Sequence, residues 1–135
     1  MKKLFTLLFV LLATQISFGQ TLLFEDFSGS AFPPSGWTFD GLAAQWSKSA
    51  TATAGGSAPE AKFTYVNQNT TTRFISPAID LSANNDVTLS FKYFYDWYAN
   101  GVTFGVAKRF GTGAWEVAWS VTPTANQGPI TKTVE

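Results

Sequence analysis

Arg73-Phe-Ile-Ser-Pro-Ala-Ile-Asp-Leu-Ser82, a short polar turn, and then Val87-Thr-Leu-Ser-Phe-Lys-Tyr-Phe-Tyr-Asp-Trp-Tyr98: this stretch decides the fold. Its second half alternates strictly. Val87, Leu89, Phe91, Tyr93, Tyr95 and Trp97 fall on one face, and Thr88, Ser90, Lys92, Phe94, Asp96 and Tyr98 fall on the other. A period of two held over this length is one long β-strand. The first face is apolar without a break, so it belongs against a second sheet. The second face mixes charge with aromatic rings and meets solvent or a ligand.

Outward from that strand the chain reads as short strands and loops. Strands are predicted over 22–27, 37–39, 45–48, 61–66 and 72–76 before it, and over 102–106, 115–121 and 130–134 after it. Phe32-Pro33-Pro34-Ser35-Gly36 is a turn, because prolines and glycine forbid a regular ladder there. Residues 49–59 are small and polar and read as a flexible loop. An Asn/Gln/Thr turn follows 66, Ala99-Asn100-Gly101 makes another, and 110–113 and 122–129 make two more. No window beyond the N-terminal segment shows the 3.6-residue apolar period of a helix. Short strands separated by turns at this spacing indicate an antiparallel β-sandwich. Thr131-Lys132-Thr133-Val134 is patterned as a strand and not as a polar tail, so the expectation is a sandwich lacking its last strands.

Composition removes several functions. The 135 residues are one domain's worth. There is no cysteine, hence no disulfide, thiolate metal site or cysteine nucleophile. There is no histidine either, which removes the commonest general base, the commonest zinc ligand and every serine–histidine triad. Formal net charge is zero at low charge density, and no basic stripe is present, so nucleic acid is not an expected partner. Abundant Phe, with Thr, Ser, Gly and Asn, is the make-up of an exported β-rich domain.

The N-terminus reads as a secretory signal peptide, residues 1–19. Lys2 and Lys3 give a positive start, 4–13 is an apolar run, and Ser17-Phe18-Gly19 puts small residues at −3 and −1 before Gln20. The run is short of the roughly 20 residues a membrane span needs. Cleavage there leaves a domain of 20–135, with no membrane span and an excess of acidic over basic side chains. The expected location is secreted, extracellular or at a bacterial cell surface.

Five motifs then occur in order: Leu-Phe-Glu-Asp-Phe (23–27), Phe-Pro-Pro-Ser-Gly-Trp-Thr (32–38), Gln-Trp-Ser (45–47), Ser-Pro-Ala-Ile-Asp-Leu-Ser (76–82) and Leu-Ser-Phe-Lys-Tyr (89–93). Together they resemble the cleaved-adhesin, or choice-of-anchor J, domains of gingipain-type adhesins, which are similar in architecture to MAM domains. The resemblance covers nearly all of 20–135. It implies a jelly-roll β-sandwich on secreted or surface proteins, often exported by type IX secretion, acting without catalysis in adhesion to a host or matrix protein or glycan. Such domains close with two further strands and an Asp-Asp motif that this chain does not carry. Where relatives place an Asp-rich calcium loop, 39–45 retains one carboxylate, Asp40, too few for the six or seven oxygens calcium takes. Where relatives carry an Asp in a later hairpin, Phe110 stands instead.

Candidate site residues are few. Glu25 and Asp26 are neighbours, so on a strand they face opposite sides and cannot form a glycosidase pair. In jelly rolls an N-terminal acid joins a late Asp around a structural calcium, which makes Glu25 the candidate; the alternative is a solvated edge charge. Trp97 and Tyr98, at the end of the long strand, are rim aromatics able to stack on a sugar or anchor a protein, with Asp96 and Lys92 as polar contacts. Asp80 caps its turn. Trp37, Trp46, Trp115 and Trp119 read as core or inter-sheet plugs. The scattered carboxylates Asp40, Glu60, Asp86, Asp96 and Glu116 form no motif, so the chain reads as a non-enzyme. The leading expectation is an adhesion or ligand-binding module. The alternatives are a structural accessory domain of a larger secreted peptidase or glycosidase, or a carbohydrate-binding module.

Overall fold

The computed structural model describes residues 19–83, 86–99 and 101–135. The signal peptide expected over 1–19 falls almost wholly outside them, as do Asn84, Asn85 and Asn100. Among the described residues the protein is all-β, with one 3₁₀ turn at Ala43–Gln45. None of the described helices is long and apolar enough to cross a membrane. The strands are β1 (Thr38–Asp40), β2 (Trp46–Ser49), β3 (Glu60–Phe63), β4 (Arg73–Ile75), β5 (Leu89–Tyr95), β6 (Phe104–Lys108), β7 (Glu116–Val121) and β8 (Gln127–Val134).

They pair into four antiparallel two-stranded ladders, β1–β4, β2–β3, β5–β8 and β6–β7. The order is nested twice over. In the first half β1 and β4 enclose the β2–β3 pair; in the second half β5 and β8 enclose the β6–β7 pair. Local chain reversal explains the inner pairs, and the outer pairs close because aromatic residues from inner and outer ladders must share a dry space.

In the first half that space is organised around Phe74 on β4. Its ring lies 4.6 Å from Trp37, 5.2 Å from Phe39, 5.4 Å from Trp46, 5.6 Å from Phe32 and 6.0 Å from Phe27. Phe39 and Phe74 are a directly opposed cross-strand pair, and so are Trp46 and Phe63 at 5.1 Å. The Trp46 indole N–H is satisfied by the Thr72 hydroxyl at 2.9 Å, which donates in turn to the Gly41 carbonyl at 3.0 Å. A buried indole needs such a partner. In the second half Phe104 on β6 is the hub, 5.0 Å from Tyr93, 5.5 Å from Trp119 and 6.4 Å from Phe91. Phe91, Tyr93 and Tyr95 therefore do turn inward from one face of β5.

Neither cluster is deep. Among the described residues only Pro123 is fully enclosed and only Val134 otherwise counts as buried, and the clustered rings are half-buried. The halves meet through narrower contacts. Lys92 on β5 donates to the Gly55 carbonyl at 2.8 Å. The Tyr65 and Tyr98 rings approach to 5.3 Å. The Arg73 guanidinium lies 5.3 Å from the Trp115 ring, which Arg109 also approaches at 4.5 Å.

Several expectations shift. Residues 22–27 form no strand: Glu25 and Asp26 turn their carboxylates onto the N–H groups of Phe27 (2.6 Å) and Ser28 (2.9 Å), so the segment turns on itself. The long strand is confined to Leu89–Tyr95. Opposite it, Tyr93 pairs with Ile130 but Tyr95 with Gln127, so β8 bulges at Gly128-Pro129, where proline offers no ladder donor. Leu89 remains 46% exposed and Trp97 36%, so the apolar ridge is not covered from end to end. The loop 49–59 is held, not loose, because the Glu60 carboxylate gathers the Thr51 hydroxyl and the N–H groups of Thr53 and Ala54.

Candidate functional site

The polar segment after β3 builds one wall of a groove. After Phe63 the chain leaves the ladder with one further bond, Thr64 N–H to the Gln45 carbonyl at 2.9 Å. It then closes two tight turns, Gln68 N–H to Val66 O at 2.9 Å and Thr70 N–H to Gln68 O at 3.0 Å. Amide and hydroxyl side chains make this sequence a poor strand and a good turn. The opposite wall is the entry to β6, Gly101, Val102 and Thr103. Between them lies a groove of about 270 Å³ that also takes in Tyr65 and Phe63. One wall comes from the first nested half and the other from the second, so the groove runs along the seam between them.

Its chemistry is uniform. Every residue lining it is uncharged. The Thr72 hydroxyl is taken up by Trp46 and Gly41, and the Thr103 hydroxyl shares a 2.9 Å hydrogen bond with Thr122. Among the described residues no protein partner engages the side chains of Gln68, Thr70 or Thr71. Tyr65 extends the groove outward, its ring meeting that of Tyr98 at an interplanar angle of 44°. Tyr98 is 77% exposed. Behind them Tyr95 is half-buried, and burial, with the neighbouring Tyr65, raises its phenol above the ordinary 10.0.

The residues predicted to form a rim site part company. Tyr98 stands beside the groove against Tyr65. Trp97 turns its backbone N–H onto the Asn126 side-chain oxygen at 2.8 Å. Lys92 is engaged with the Gly55 carbonyl on the other side of the seam, and Asp96 is exposed. Tyr65, Gln68, Thr70, Thr71 and the 101–103 wall were not anticipated. The signal available was an aromatic followed by a run of amides and hydroxyls, which reads equally as a plain turn.

A second cleft, of about 360 Å³, is lined by Phe24, Glu25, Asp26 and the serines of 28–35. The Asp26 carboxyl is held below its ordinary value by the hydroxyl and then the N–H of Ser28. With Glu25 closed onto Phe27, both acids cap their own backbone. Among the described residues no three potential metal-ligating side chains cluster, around Glu25 or elsewhere. Asp80 accepts from Ser82 N–H at 2.9 Å, and this backbone bond, followed by the Ser82 hydroxyl, lowers its carboxyl.

No family model, no curated protein and no solved structure matches the chain. The groove's residues therefore have to speak for themselves. They can accept and donate hydrogen bonds and offer ring faces. None of them pairs a nucleophile with a base.

Proposed function

We propose that this chain is a secreted or cell-surface, non-catalytic adhesion and ligand-binding module, built as a jelly-roll β-sandwich. The observation that carries the reading is the seam groove, with half-buried Tyr65 and exposed Tyr98 in ring contact at its edge and a lining free of charge. Uncharged polar groups beside rigid rings suit recognition, since rings give contact area at low entropic cost. Paired antiparallel strands throughout are what a β-sandwich requires, and the jelly-roll part of the reading rests on the resemblance. The signal-peptide pattern and the five motifs resembling cleaved-adhesin domains support the location and the role.

Two measurements test it. Expression of the full chain in a bacterium with an outer membrane, followed by N-terminal sequencing of the product, is expected to give a mature protein beginning at Gln20 outside the cytoplasm. A full-length product retained in the cytosol overturns the export reading. The mature protein is then applied to immobilised matrix proteins, glycans and whole cells. Retention that is lost in Tyr98→Ala supports the module. Failure to bind any of these surfaces, or binding unchanged in that variant, overturns it.

A further inference from the structure

We infer that the seam groove takes an uncharged glycan, a pyranose ring stacked against the Tyr65–Tyr98 pair with its hydroxyls met by Gln68, Thr70 and Thr71. This names the ligand class for the groove and rests on the reading of the chain as a binding module. Three observations converge on it. The first is the lining, uncharged throughout, which offers nothing to neutralise a carboxylate, sulfate or phosphate. Burying an ion without a partner is costly, so an acidic ligand gains nothing here. The nearest guanidinium by sequence, Arg73, is already paired with Asp40 at 2.6 Å.

The second observation is the division of labour among the polar groups. Thr72 and Thr103 are consumed by the protein's own hydrogen bonds. Gln68, Thr70 and Thr71 have no such partner among the described residues. A side-chain amide offers a donor and an acceptor, and a hydroxyl offers both. That set matches the paired donor and acceptor character of adjacent sugar hydroxyls. It is a poor match for a purely apolar ligand, which would leave these groups unsatisfied.

The third is shape. At about 270 Å³ the groove is just below the range of roughly 300–1,000 Å³ that encloses a drug-sized ligand. It has room for a sugar ring or two of a chain passing through, and the Tyr98 ring, 77% exposed, prolongs it along the surface. An extended protein strand is a poorer fit, because among the described residues Phe63, at the very end of β3, is the one strand residue in the lining and offers almost no ladder to extend.

The test titrates the mature protein with neutral hexasaccharides of glucose, mannose, xylose and N-acetylglucosamine, and with a hexagalacturonate and a heparin fragment as acidic counterparts. Isothermal titration and the change in melting temperature are both read. At least one neutral hexasaccharide is expected to bind, and the acidic pair to bind at least tenfold more weakly or not at all. Tyr98→Ala is expected to weaken binding about tenfold or more. Gln68→Ala is expected to weaken it severalfold. Tyr98→Phe keeps the ring and is expected to keep most of the affinity. Because Tyr98 is largely exposed and gives up one ring contact, with Tyr65, its replacement is expected to lower the melting temperature of the free protein only slightly, and that melting temperature, read beside the titration, separates lost binding from lost folding. A preference for the acidic ligands, or neutral binding indifferent to both Tyr98→Ala and Gln68→Ala, overturns the proposal. If no neutral glycan binds while the protein still adheres to an immobilised matrix protein through Tyr98, the glycan inference fails and the module reading survives. If neither occurs, both fall.

Discussion

Phe74→Ala is the substitution that most directly tests the physical basis of the first half. The ring contacts five others, the closest being Trp37 at 4.6 Å and Phe39 at 5.2 Å. Truncating a fully enclosed Phe to Ala costs roughly 3–5 kcal/mol, combining lost transfer free energy with the cavity left behind. Phe74 is half-buried, which lowers the transfer part. Favourable ring–ring geometry contributes roughly 0.5–1.5 kcal/mol per pair beyond area, but five such terms at one residue do not add. Together these place the cost at about 3 kcal/mol, near the bottom of the enclosed range.

The assay is urea denaturation followed by tryptophan fluorescence and, separately, by far-ultraviolet circular dichroism. Trp37 and Trp46 lie within the cluster and report on it directly. With so few fully enclosed residues, total stability belongs near the lower end of the usual range of about 5–15 kcal/mol. A loss of about 3 kcal/mol at constant m then lowers the midpoint by more than half. Phe110→Ala is the control: that ring is 68% exposed and has no ring partner among the described residues, so its loss costs less than about 0.5 kcal/mol. Equal effects of the two substitutions would refute the claim that Phe74 organises the first half. So would a loss under about 1 kcal/mol for Phe74→Ala.

Two more outcomes follow from close contacts. In Gly105→Ala the new Cβ would lie 2.3 Å from the Trp119 carbonyl oxygen and 2.9 Å from Ser120 Cα, both backbone atoms; a melting-temperature drop equivalent to about 2–3 kcal/mol is expected, against no change for Gly29→Ala, whose added Cβ meets nothing within 4 Å. For Glu60, burial pushes the carboxyl up, but hydrogen bonds from Thr51, Ala54 and Thr53 outweigh it and leave the group below its ordinary 4.5. A lowered folded value means the clasp stabilises fully above that ordinary value and is lost as the pH falls through the lowered one. The gap in melting temperature between wild type and Glu60→Gln is therefore expected at pH 7 and should shrink as the pH falls below that ordinary value; a gap that does not change with pH would count against the clasp.

Much of the all-β architecture was legible because alternation is a property of one strand alone. Phe91, Tyr93 and Tyr95 announce an inward face without knowledge of any partner. The length of that strand was not legible, because a ladder needs a second strand. Gly128-Pro129 lies more than thirty residues away and ends regular pairing beyond Tyr93. The 22–27 segment failed for a different reason. Its apolar residues suggested a strand, but Glu25 and Asp26 offer the backbone local acceptors that compete with a ladder. The groove failed for a third. Its walls come from 63–72 and from 101–103, and nothing in either segment points to the other. Of the aromatics expected at the strand end, Tyr98 lies beside it because its ring meets Tyr65, which belongs to the opposite half.

That position has an energetic consequence. Each half has its own aromatic cluster, whereas among the described residues the contacts between halves are of a weaker kind: Lys92 to Gly55, Arg73 over Trp115, and Tyr65 against Tyr98. Exposed cation–ring contacts contribute about 0.5–1 kcal/mol, and polar contacts in partial solvent contribute comparably little. Held by the weakest of these contacts, the seam is expected to open before either aromatic cluster under local fluctuation. A ligand lodged between its walls adds free energy where the protein supplies least. At a hundredfold excess over Kd that addition is about 2.7 kcal/mol, more than any one of the native seam contacts contributes. An adhesion module so arranged would be most cohesive when its ligand is in place.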